Sequence, residues 1–62
     1  MSNWTVKFNG NTIATRGTKN DAIRAALKAK FDENLITEGM EDWIMEVYDP
    51  FGRVVRTITK VN

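Results

Sequence analysis

Cysteine and histidine are both absent from this chain. Without cysteine no disulfide or thiolate metal site can staple the core, and the redox compartment stays open, since cysteine-free chains occur in every compartment. Without histidine the commonest general base is missing, and with the thiol nucleophile gone as well, nearly all zinc and copper sites are excluded. Catalysis would have to rest on carboxylates, lysine, tyrosine or hydroxyls, so the chain is read as a non-enzyme with no cofactor and no metal. Long apolar runs are lacking too. No stretch approaches the roughly 18 apolar residues of a membrane span, and the opening "MSNWTVKF" has neither a basic n-region nor an apolar h-region. The expectation is a cytoplasmic protein that makes no membrane contact, in which Asn3-Trp4-Thr5 matches a glycosylation sequon by chance.

A large excess of either charge is also missing. The net charge of +1 conceals an asymmetry, because residues 1–31 carry six Lys or Arg against Asp21 alone, while residues 32–62 carry seven acids against Arg53, Arg56 and Lys60. Strands and a helix that neutralise each other on folding account for such a split without nucleic acid. What is present suits one small domain over residues 1–62: 27% charged and 42% hydrophobic residues with six aromatics exclude a disordered tail. A chain of this length buries only about 60% of the surface its unfolded form exposes, so its stability is marginal and self-association is the remaining staple.

"WTVKF" alternates as a half-buried strand does, with Trp4, Val6 and Phe8 on one side and Thr5 and Lys7 on the other. Asn9-Gly10 follows, a strong signal for a two-residue type I′ hairpin turn. That turn predicts Phe8 opposite Asn11 and Val6 opposite Ile13, leaving Thr5, Lys7, Thr12, Ala14 and Arg16 on the wet face. Thr18, with Asp21 three residues on, makes a capping box that uses Asp in place of Glu or Gln. The helix is predicted over about Lys19 to Asn34, with Ile23, Leu27 and Phe31 as its core stripe, flanked by Ala26, and Lys30 snorkelling at the edge. Ala22, Ala25 and Ala29 read as helix-forming surface, with close approach of a second helix as the other reading.

"ITEGMEDW", with Gly39 and the acids Glu38, Glu41 and Asp42, reads as a solvated loop before the second hairpin. Asp49-Pro50-Phe51-Gly52 suits a type I turn completed by a left-handed glycine, a three-residue loop with a bulge. The predicted register sets Asp49 opposite Arg53, Tyr48 opposite Val54, Val47 opposite Val55 and Glu46 opposite Arg56. Trp43, Met45, Val47 and Val55 then share one face, and Ile44, Tyr48, Val54 and Ile58 share the other around the Glu46 and Arg56 pair. Both faces are apolar, and Trp43, Met45 and Val47 are favoured to meet the helix. The fold class is therefore α+β, of order ββαββ: a four-stranded antiparallel sheet with one helix packed on one face. Strand order is left open, because either hairpin edge could sit centrally.

A Trp-x-Val-Lys opening strand (Trp4, Val6, Lys7), a Thr-led helix start reaching Ala-Ile (Thr18, Ala22, Ile23) and a closing Gly-Arg turn (Gly52, Arg53) resemble a family of small bacterial proteins known only as a domain of unknown function. The resemblance implies this order of strands and helix and lends no activity.

Other motifs fail their templates. "DENLITEGMEDW" has Ile36 where a calcium loop needs its fifth-position ligand, and its glycine comes too late. "GNTIATRGTK" separates its glycines by six residues and lacks Gly-Lys-Ser/Thr, so it is no phosphate loop. Gly17, Thr18 and Lys19 at the helix start read as a plain cap, although any helix N-terminus offers amides to an anion.

Because one helix can cover only one face of a small sheet, the second apolar set of the closing hairpin either lies partly exposed or is buried by something outside this chain. The expected function is a non-catalytic protein-binding module, a small regulator or inhibitor of phage-encoded or accessory type. Its contact surface is Ile44, Tyr48, Val54 and Ile58, with Phe51 at the turn, and its partner is another protein or a second copy in a homodimer. The alternative is a weak nucleic-acid binder that uses Arg16, Lys19, Arg24 and Lys28 as a basic strip, with affinity that falls steeply with salt.

Overall fold

A computed structural model describes residues 3–60. Strands β1 (Trp4–Phe8) and β2 (Asn11–Arg16) form the first hairpin, α1 (Lys19–Ala29) follows, and β3 (Ile44–Tyr48) and β4 (Val54–Thr59) form the second. All neighbouring strands are antiparallel, in the order β2-β1-β3-β4, so each hairpin contributes one central and one edge strand. The ββαββ α+β architecture is thus the one predicted, with the order settled by pairing between β1 and β3.

The Asn9-Gly10 turn forms as expected, with both residues at positive φ (50° and 85°). Asn9 also joins the two hairpins: its N–H donates to the Ile44 carbonyl at 2.8 Å, and its side-chain oxygen accepts from the Ile44 N–H at 2.9 Å. Those two bonds set the start of β3 beside the end of β1 and fix the central register Phe8–Met45, Val6–Val47 and Thr5–Tyr48.

Each hairpin departs from the predicted register at one residue. In the first, Phe8 faces Asn11 and Lys7 faces Thr12, but Val6 faces Ala14, not Ile13, because Ile13 is an extra residue in a bulge. In the second, Tyr48 faces Val54, but Val47 faces Arg56, and Val55 is the extra residue. The Val47–Val55 and Glu46–Arg56 pairs are therefore corrected: Glu46 lies between Lys7 and Thr57. A bulge places two residues opposite one and sharpens strand twist. Strict alternation would bring only Ile13 of the middle of β2 beneath the helix, whereas the bulge lets Ile13 and Ala14 both pack against the core.

The core consists of Val6, Phe8, Trp43, Met45 and Val47 from the sheet side, with Ala22 and Ala26 from the helix. Full burial of Val6, Met45 and Val47 contributes about 1.5–3 kcal/mol each. Phe8 and Trp43 pack with ring centroids 6.2 Å apart, tilted by 34°. Trp43, Met45 and Val47 do face the helix, as favoured.

The helix presents a different face from the one predicted. Thr18 caps it, accepting from the Asp21 N–H at 3.2 Å, but Leu27 and Phe31 are exposed, and the buried stripe is Ala22 and Ala26, with Ile23, Ala25 and Ala29 beside it. At about 100° per residue, Leu27 is turned well over 90° from Ala22, and Phe31 lies beyond the end of the helix. Small side chains let the helix backbone approach the sheet, so Ala22 and Ala26 are packing surface against it, while Ala25 and Ala29 are half-buried beside them. The helix also ends at Ala29 and not Asn34. At its end the Phe31 and Asp32 N–H groups donate to the Lys28 and Ala29 carbonyls, three residues back instead of four, and beyond it the Asp32 carboxylate accepts from the Asn34 N–H at 2.9 Å.

The helix lies across β1, β2 and β3. Beside it the connection of residues 30–43 sets Leu35, Ile36 and Met40 against the core while Glu38, Glu41 and Asp42 stay exposed. The Lys60 ammonium donates to the Met40 carbonyl and ties the end of β4 to this connection. No helix among the described residues is long and apolar enough to cross a membrane.

Candidate protein-binding surface

The turn between β3 and β4 is built on Asp49, which is only 8% exposed. One carboxylate oxygen accepts from the Phe51 N–H at 2.9 Å and the Arg53 N–H at 2.8 Å, and the other accepts from Arg53 Nε at 3.1 Å. The Asp49 N–H donates to the Arg53 carbonyl at 2.8 Å, so the predicted opposition of Asp49 and Arg53 holds, closed by the sole ion pair among the described residues. Gly52, at φ 84°, supplies the left-handed step that a residue with a side chain takes only under strain. The Arg53 backbone N–H, then the Phe51 N–H and the Arg53 guanidinium, hold the Asp49 carboxyl below the usual carboxylate range against the opposing effect of desolvation.

This turn carries Phe51 outward, 84% exposed, with the Arg53 guanidinium 5.8 Å from its ring centre. Behind it, Tyr48 and Val54 are paired on the sheet face away from the helix, and Val54 is 46% exposed. Lys7 holds its ammonium 4.8 Å from the centre of the Tyr48 ring, and the Tyr48 hydroxyl donates to Glu46 at 3.2 Å. Partial desolvation, followed by the Glu46 charge and the hydrogen bond to it, raises the Tyr48 phenol above its ordinary value.

The five residues predicted to form one surface do not all assemble. Phe51, Tyr48 and Val54 come together at the turn end. Ile44 lies on the same sheet face at the far end of β3, beside a separate depression lined by Asn9, Trp43 and Thr59, with the polar row Lys7, Glu46 and Thr57 between. Ile58 is corrected outright: the bulge at Val55 shifts it opposite Met45, on the helix side, half-buried against the core. The apolar face that alternation implied is thus largely an artefact of counting through a bulge, and what survives is its tip.

Of the basic strip, Arg16, Arg24 and Lys28 line one depression of about 300 Å³, together with Asp21 and Ala25. Lys19, exposed in the first turn of the helix, stands outside it. Trp4, a candidate for base stacking, is half-buried against the core. Sequence reasoning missed Asp49 as the organiser of the turn; an Asx-type acceptor at the first position of the turn was the signal for it. Among the described residues no three acidic side chains come together as a metal site would require. No protein-family model, curated protein or solved structure matches this chain.

Proposed function

We propose that the protein is a non-catalytic binding module that acts as a small regulator or inhibitor and engages a protein partner through the tip of its second hairpin. The observation that carries this reading is Phe51, a large apolar ring held 84% exposed by a turn whose backbone is fixed through Asp49. A side chain whose backbone is already ordered loses less entropy on binding, and exposed aromatics on rigid supports are the usual anchors of interfaces. Tyr48 and Val54 extend the apolar contact, while Lys7, Glu46 and Arg53 provide a polar rim. A non-catalytic role fits a chain without His or Cys whose Glu38, Glu41 and Asp42 all stand in solvent.

The double variant Phe51→Lys, Val54→Lys tests the proposal, since both positions are exposed and tolerate charge without loss of fold. Immobilised wild-type protein should retain a partner from a lysate of the source cell that the variant releases. Sedimentation equilibrium of both forms shows whether that partner is a second copy. Identical retention and identical mass for the two proteins would refute a role for the tip.

A further inference from the structure

A second surface, on the opposite edge of the sheet, is left unused by the hairpin tip. Between edge strand β2 and the C-terminal half of α1 runs a groove of about 580 Å³, inside the roughly 300–1,000 Å³ range of binding clefts. Ile13, Ala14, Ala25, Ala29 and Leu35 contribute its apolar lining, and Phe31, 78% exposed, stands at its margin. The groove exists because Ala25 and Ala29, half-buried on the flank of the helix beside β2, carry only methyl groups, and because the bulge lets Ala14 pack on the same side. Arg16 and Lys28 line this groove and also the adjoining depression that contains Arg24. The apolar trough therefore ends in three cations against two acids, Asp32 in the groove and Asp21 in the depression, which leaves an excess of positive charge.

We propose that this groove binds an acidic peptide segment of a partner protein, with apolar side chains against the alanine floor and carboxylates on Arg16, Arg24 and Lys28. Charge complementarity decides the sign of the occupant, and the apolar floor decides its kind. A nucleic acid would find no base-reading groups on that floor. It would also bring phosphates toward Asp21 and Asp32, which line the two depressions. A nucleic acid carries a charge at every phosphate, whereas a peptide carries carboxylates only where its sequence places them, so the segment that fits has its acids opposite the three cations and neutral residues opposite Asp21 and Asp32. This site is independent of the hairpin tip.

The test is fluorescence anisotropy with three labelled probes at low and moderate salt: a short peptide alternating Glu and Leu, the same peptide with Gln in place of Glu, and a single-stranded oligonucleotide of similar length. Each is titrated with wild-type protein, with Arg24→Glu, Lys28→Glu, and with Phe51→Lys as a control at the other site. The Glu peptide should bind at least about ten-fold more tightly than the Gln peptide, and charge reversal at Arg24 and Lys28 should weaken it by a similar factor. The Phe51 variant should bind it like the wild type. Amide chemical shifts should move at Ala14, Ala25, Ala29 and Leu35. No binding of the Glu peptide, equal affinity for its Gln counterpart, shifts confined to other surfaces, or tighter binding of the oligonucleotide would each overturn the proposal.

Discussion

Asp49 shows how much one side chain can organise when it accepts from two backbone amides and a guanidinium at once. Its carboxyl titrates below the ordinary value of 3.8 in the folded chain, so the folded state binds fewer protons there than the unfolded state does. The stability it contributes is complete above that value and is lost as pH falls through the lower, folded value. The urea midpoint should therefore drop between pH 6 and pH 3 in the wild type, and the part of that drop due to the turn should be missing in Asp49→Asn. Tyr48 has the opposite sign: its raised pKa favours the folded state below 10.0, and that contribution fades as pH rises through the folded value. In the interior, Met45 is fully buried, and Met45→Ala should cost about 2–5 kcal/mol in urea unfolding. At residue scale the sequence was most legible where chemistry is local. Thr18, the Asn9-Gly10 turn and the Asp49–Arg53 opposition could each be read from a few neighbours, whereas the bond from Asn9 to Ile44 spans the chain and left no local mark.

Among elements, the helix is the clearest case of packing overruling hydrophobicity. Ile23, Leu27 and Phe31 form the more apolar stripe in sequence, yet Ala22 and Ala26 occupy the interface because the space between helix and sheet admits little more than a methyl group. Ala26→Leu should then destabilise the fold by about 1–3 kcal/mol through overpacking. Phe31→Ala, at a side chain 78% exposed, should shift the urea midpoint by no more than about 0.5 kcal/mol equivalent. A reversed ranking of those two variants would mean that the helix is rotated toward the stripe read from sequence. The strands were legible as strands from their alternation, but alternation carries no record of where an extra residue interrupts it. For that reason alternation puts Ile58 on the outer face, and the groove beside Ala14 leaves no mark in it.

At the scale of the molecule, the two hairpins join through their inner strands, and helix α1 spans β1, β2 and β3, leaving both outer strands at an open edge. The two bulges flank the central Val6–Val47 pair, Ile13 on one edge toward the Lys7–Glu46 pair and Val55 on the other toward the Thr5–Tyr48 pair. An irregular edge is a poor template for pairing with a second sheet, which keeps a small open sheet from polymerising through its sides. The same arrangement gives each outer strand one residue of slack. Removing Val55 should leave every other β3–β4 pairing in place, so cross-strand nuclear Overhauser contacts between Met45 and Ile58 should persist in the shortened chain, whereas their loss would show that the bulge is required for closure. Chains of this architecture can accordingly differ in length by a residue on either flank while keeping the same interior, and a length change of that kind would first be felt at the surfaces beside the bulges, where binding is proposed.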